Sequence, residues 1–205
     1  MDEPLLAQTR NELPYYLRAT SCPACGGGPL TQVRSAAAKA AGRGADPDSD
    51  ATVRVRCRKC GARRTLHFRW LNDVPPDAEE ADFINPTAAP SRIVDLAQWV
   101  SLCSLFADSA EKAQSPVEAR ALACQAGLCL AEALKFHADG ELPPDSAFFH
   151  ESSVAACCAN PANYTRTRLQ ELKASLPTPA YRSEASGEPR PARSRRRPWW
   201  KFWPE

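Results

Sequence analysis

The residues best equipped for chemistry in this sequence are cysteines. There are nine in 205 residues, and four stand in two C-x-x-C-G spellings, Cys22-Pro-Ala-Cys25-Gly26 and Cys57-Arg-Lys-Cys60-Gly61. Two residues between thiolates let both sulfurs reach one tetrahedral ion at about 2.3 Å. Glycine after each second cysteine tolerates the positive φ that a chain needs when it folds back and turns N–H groups towards sulfur. Four thiolates close the coordination shell, which suits a structural zinc ion and leaves no open position for a catalytic one. The expectation is one structural zinc held by Cys22, Cys25, Cys57 and Cys60, with no catalytic residue and no small-molecule substrate.

Other uses of these cysteines fit the pattern less well. Cys22-Pro-Ala-Cys25 has the spelling of a thioredoxin-like redox pair, but no βαβ pattern surrounds it and the second pair would go unexplained. Iron held as in rubredoxin needs a core built on aromatics, and residues 35–51 between the pairs have none. Cys103, Cys124, Cys129, Cys157 and Cys158, with His137 and His150, could be drawn as a second metal site or a thiol nucleophile. Cys103 and Cys129 instead fall on apolar helical stripes, where cysteine acts as a small buried hydrophobe. Adjacent Cys157 and Cys158 would point about 100° apart on a helix, poor geometry for one ion.

Basic residues crowd the second knuckle. Arg54, Arg56, Arg58, Lys59, Arg63, Arg64 and Arg69 lie between Thr52 and Arg69, with no acidic residue among them. Arg54 and Arg56 share a strand face, because side chains two apart point the same way. Guanidiniums offer paired donors to phosphate oxygens, so Arg54, Arg56, Arg58, Lys59, Arg63 and Arg64 form a candidate nucleic-acid-binding set. The alternative is that they neutralise the thiolates or face the acidic helical part.

The elements that must position these groups are legible in outline. Thr52 to Arg56 alternates with period two into the second knuckle, and Arg64 to Phe68 alternates out of it. Tyr15 to Ser21 leads into the first knuckle, and Leu30 to Arg34 follows it with extended-type residues. Residues 35–51, rich in Ala, Gly and Asp, read as a flexible excursion. Beyond an acidic linker over 71–90, Ile93, Leu96, Val100, Cys103, Ala107 and Ala110 recur at helical spacing. Ser115-Pro116-Val117-Glu118 opens a second helix as a capping box with proline at its first position, and Gly140 marks its stop. The short connection leaves the two antiparallel, with Ala121, Ala123, Ala126 and Gly127 permitting close approach. A third helix is expected over Asp145–Cys158, and a fourth from Asn160-Pro161 to about Leu176.

Two knuckles joined by a small antiparallel sheet resemble a zinc ribbon, over about residues 15–70. The resemblance implies metal binding and no particular task. Glu132-Ala-Leu-Lys-Phe136, followed by Leu142-Pro-Pro-Asp-Ser-Ala-Phe-Phe149, is similar to zinc-ribbon proteins of planctomycete-type bacteria, a likeness that implies no activity.

Charge and composition complete the reading. The formal net charge of +2 conceals blocks of −2 over 1–17, +8 over 18–69, −10 over 70–160 and +6 over 161–205. Such asymmetry suggests units with separate electrostatic roles. From residue 177 the chain turns Pro, Ser, Arg and Glu rich, a composition that cannot bury enough to fold. It ends in a basic cluster, Arg195, Arg196 and Arg197, beside Trp199, Trp200 and Trp203. These residues are expected to engage a protein partner, an anionic membrane surface or nucleic acid. The start lacks the layout of a signal peptide and no window is apolar enough to span a bilayer, so a cytoplasmic protein is expected. The expected class is α+β: an N-terminal segment over 1–14, an antiparallel zinc ribbon over 15–70, a helical hairpin or bundle over 91–176 and a disordered tail over 177–205. The expected function is a non-enzymatic zinc-binding adaptor associated with nucleic acid through the ribbon. Its alternative is a protein- or membrane-surface module tethered by the tail.

Overall fold

The computed structural model describes residues 3–33, 51–72 and 83–177. The excursion between the knuckles (save Ala51), much of the acidic linker and the Arg/Trp cluster lie outside these residues. The chain is mixed α+β. Its strands are β1 (Leu5–Ala7), β2 (Leu30–Gln32), β3 (Ala51–Cys57) and β4 (Arg63–Trp70). Its helices are α1 (Leu13–Ala19), α2 (Leu96–Lys112), α3 (Pro116–Leu134), α4 (Glu151–Ala159) and α5 (Arg166–Ala174).

The sheet has the order β1-β4-β3-β2. Antiparallel pairing joins β2 to β3 and β3 to β4, as the alternation predicts, but β1 runs parallel to β4, with Leu5 opposite Phe68 and Ala7 opposite Trp70. The sheet is therefore mixed, and residues expected to be a mere N-terminal segment form one edge of it. One face is apolar: Ala7, Leu30, Val53, Val55, Phe68 and Trp70 are buried.

Residues expected to lead straight into the first knuckle are helical. In α1 the neighbouring Tyr15 and Tyr16 point about 100° apart and serve different layers. Tyr16 meets Phe68 of the sheet edge-on, with centroids 5.7 Å apart, while Tyr15 contacts Trp99 at 5.4 Å and Phe106 at 6.0 Å on α2. So α1 bridges sheet and helices, and one hydrophobic cluster runs from Val55 and Phe68 through Trp99 to Leu130 and Leu169.

The long helices start where their caps allow. Asp95 accepts from Gln98 N–H at 2.8 Å while Gln98 Oε1 accepts from Asp95 N–H at 3.0 Å, a complete capping box at the head of α2. Ser115 accepts from Glu118 N–H at 3.1 Å ahead of Pro116, so α3 begins at the expected point. Gly127 lies near Leu176 and Pro177 beyond the end of α5. The third expected helix breaks in two, a 3₁₀ turn at Asp145–Ala147 and then α4; the fourth likewise opens as a 3₁₀ turn at Pro161–Tyr164 before α5.

The N-terminal segment is fastened by polar contacts. Gln8 Nε2 donates to Pro90 O at 3.0 Å, Thr9 Oγ1 to Ile84 O at 2.8 Å, and Asn72 N–H to Gln8 O at 3.0 Å. Within the same nucleus Glu12 is fully buried and accepts from Gln8 N–H at 2.9 Å. Glu132 takes Lys135 Nζ at 2.8 Å and Asn85 N–H at 3.2 Å. Burial raises the Glu12 carboxyl to about 7, with the Gln8 N–H opposing and the Glu132 charge reinforcing. Burial also raises Glu132, against the attraction of Lys135.

Candidate metal centre and the basic sheet face

The two knuckles are built alike. In the first, Cys22 N–H donates to Gly27 O, and Gly26 N–H returns to Cys22 O at 2.8 Å. In the second, Cys57 N–H donates to Ala62 O at 2.8 Å, and Gly61 N–H returns to Cys57 O at 3.0 Å. The reversal needs a left-handed residue after the second cysteine, supplied by Gly26 at φ +64 and Gly61 at φ +77. The first knuckle hangs from the end of α1, and the second joins β3 to β4. Arg58 N–H donates to Pro29 O at 3.0 Å, binding the second knuckle to the chain entering β2.

These loops bring Cys22, Cys25, Cys57 and Cys60 together, with all four Sγ within 4.8 Å of one another. Cys22 Sγ lies 3.8 Å from Cys60 Sγ, and Cys25 Sγ 3.8 Å from Cys57 Sγ. A tetrahedron with metal–sulfur bonds of about 2.3 Å has edges of about 3.8 Å. The donor set therefore fits one metal ion such as zinc. Cys22 and Cys57 are buried against the core, Cys25 is half-buried and Cys60 is exposed, so the centre sits at the margin of the hydrophobic cluster.

Backbone dipoles favour charge on the sulfurs. Cys57 is pulled down to about 6 chiefly by the Cys60 N–H, aided by the Lys59 N–H at 3.3 Å. Cys60 receives the Ala62 N–H, which lowers it, but sharing protons with Cys25, Cys57 and Cys22 and losing solvent push it up to about 11. Four crowded thiols cannot all ionise unaided, and a divalent cation removes that conflict by displacing their protons.

The basic residues divide. Arg54 stands opposite Thr65, Arg56 opposite Arg63, and Thr52 opposite His67, and all six are exposed on the outer face of β3 and β4. Thr31 of β2 extends that face beside Arg56. Arg58 and Lys59 are exposed in the second knuckle, where Lys59 passes over Gly27. Arg64 pairs with Val55, on the other face, where its charge acts on Tyr16. The outer face thus gathers Arg54, Arg56 and Arg63 and parts them from Arg64.

The remaining cysteines take other surroundings. Cys103 and Cys129 are fully buried, and burial pushes the Cys103 thiol up to about 12 and Cys129 well above its ordinary value. A thiol held protonated is a poor nucleophile and a poor ligand. Cys157 is half-buried and Cys158 exposed. His137 is buried, with Nε2 2.8 Å from Tyr164 O, whereas His150 is exposed. Among the described residues only the four knuckle cysteines cluster as metal ligands, and no helix is long and apolar enough to cross a membrane. No family model, curated protein or solved structure matches the chain, so the likeness to zinc ribbons rests on the four-cysteine cluster itself.

Proposed function

We propose that the chain is a non-enzymatic adaptor in which zinc stiffens the knuckles and the outer sheet face associates with nucleic acid. One observation carries the reading: cross-strand register sets Arg54, Arg56 and Arg63 side by side on the exposed face of β3 and β4, strands that contain no acidic residue. Guanidiniums at that spacing can engage successive phosphates, while Thr52 and Thr65 offer hydroxyls to the same backbone. Among the described residues this face carries no Phe, Tyr or Trp, so the reading rests on sugar-phosphate contacts, with His67 the one ring placed to stack.

The test is fluorescence anisotropy of the zinc-loaded chain with labelled single- and double-stranded oligonucleotides across a salt series. Three phosphate contacts give a log–log slope of about −2.7, hence a loss of about 40-fold between roughly 50 and 200 mM salt. Arg54→Glu with Arg63→Glu should abolish that salt-dependent binding and leave zinc content unchanged. No binding at low salt, or binding indifferent to those substitutions, refutes the reading.

A further inference from the structure

Two clefts lie along α1. Between α1 and β2 lies a cleft of about 530 Å³, and between α1, α2 and α4 one of about 310 Å³. Both are lined by Arg18 and Leu105, so the two clefts adjoin at these side chains. The first is lined by apolar Leu13, Leu17 and Leu30 and also by Arg58. Among the described residues no acidic side chain lines either cleft.

Three details make this more than surface relief. Leu105 is 48% exposed although its neighbours Leu102, Cys103 and Phe106 are buried, so a large aliphatic group stands open where the clefts adjoin. The Arg18 guanidinium rests 5.0 Å above the Phe106 ring, a cation–π contact that holds it in place beside Leu105. β2 is also an edge strand. Pro29 O and Val33 N–H bond towards the second knuckle and β3, so by antiparallel alternation Leu30 and Gln32 turn their backbone groups to the open side.

We propose that this groove docks an extended, acidic, leucine-bearing segment of a partner protein. Aliphatic side chains of the segment would cover Leu105 and the Leu13–Leu17–Leu30 lining, its carboxylates would meet Arg18 and Arg58, and its backbone would extend the sheet at β2. The commitment to an acidic occupant rests on charge complementarity: two guanidiniums accompany an apolar lining that, among the described residues, holds no carboxylate. The inference is independent of nucleic-acid binding, which concerns Arg54, Arg56 and Arg63.

The experiment uses the zinc-loaded full chain and a fluorescein-labelled ten-residue peptide alternating glutamate and leucine, with a lysine–leucine peptide as control. Micromolar binding of the acidic peptide alone is expected, weakened at least ten-fold by Arg18→Glu and by Leu105→Asp, and unchanged by Arg54→Glu. Leu105→Ser stands in if Leu105→Asp does not fold. Absence of binding, equal binding of the lysine peptide, or insensitivity to Arg18→Glu overturns the proposal. Light scattering that shows a dimer lost with Leu105→Asp would assign the groove to a second copy. Binding that appears only after residues 73–82 are replaced by a Gly-Ser linker would assign it to the chain's own acidic stretch. Either result also overturns the proposal.

Discussion

Glu12 offers a quantitative test of the buried polar nucleus that fastens the N-terminal segment. The side chain is fully buried, feels the charges of Glu132 in α3 and of Lys135 just beyond its end, and is raised from its ordinary 4.5 to about 7. At about 1.36 kcal/mol per pKa unit, that displacement corresponds to about 3 kcal/mol. The sign follows from linkage: a carboxyl that binds its proton more tightly when folded favours the native state while protonated. That contribution is complete below about 4.5, declines as pH rises, and is lost once pH passes about 7, where the native state carries a buried carboxylate.

Glu12→Gln removes the titration while keeping a carbonyl for the Gln8 N–H. Any fixed cost of placing an amide there cancels when the two proteins are compared at several pH values. The quantity to follow is the variant's unfolding free energy minus that of the parent. It should rise by about 3 kcal/mol between pH 4.5 and pH 8. Urea unfolding followed by tryptophan fluorescence, with free zinc buffered, supplies it, because proton-coupled metal binding is common to both proteins and drops out. Parallel stability curves would mean that Glu12 titrates alike in the folded and unfolded chain, a difference of opposite sign would mean that it is strongly paired, and either would defeat the account of this nucleus.

Three further outcomes are expected. Cys57→Ser should abolish stoichiometric zinc binding in a chelator-release assay; in the parent, an ion at about 1,000 times its dissociation constant adds about 4 kcal/mol, which chelation should remove from the urea midpoint. Gly26→Ala places a β-carbon with no atom within 4 Å but at φ +64, so the cost is conformational, about 1–2 kcal/mol in zinc-loaded unfolding, and Gly26→Asn should recover part of it. Asp95→Ala removes the α2 cap and strands the Phe149 N–H, which donates to Asp95 Oδ2 at 3.1 Å. That should cost about 2–3 kcal/mol in thermal unfolding, and a loss below about 0.5 kcal/mol would deny the cap its role.

How legible the molecule was depended on the length of each signal. The knuckles could be read because thiolate spacing and the following glycine answer to coordination chemistry alone, and Gly26 and Gly61 adopt the positive φ that reading required. The β3–β4 hairpin and the two long helices repeat their periods often enough to be seen. β1 has three residues and α1 seven, too few for a period to emerge, and a helix that short forms only through tertiary contacts. Tyr15 and Tyr16 held the available hint, since paired aromatics in an extended lead-in would have left one face without a partner. The Asp95 capping box was written in the sequence but overshadowed by the stripe beginning at Ile93. The division of Arg64 from Arg54, Arg56 and Arg63 required the register.

The four-cysteine cluster joins elements that lie apart in the sequence. Cys22 follows α1 closely, Cys57 ends β3, and the second knuckle is bonded through Arg58 to the entry of β2. An ion gripping all four sulfurs therefore fixes the exit of α1 against the hairpin. Because α1 reaches both Phe68 and Trp99, that constraint extends into the helical layer. Cys22 and Cys57 belong to the same hydrophobic cluster as Leu130 and Leu169, so the centre is embedded in the common core and is not a clip on a detached module. The outer arginine face is borne by the strands that flank the second knuckle, and the Arg18–Leu105 groove by the helix that precedes the first. A structural ion at this junction would hold the two surfaces in fixed relation, as the proposed adaptor role requires.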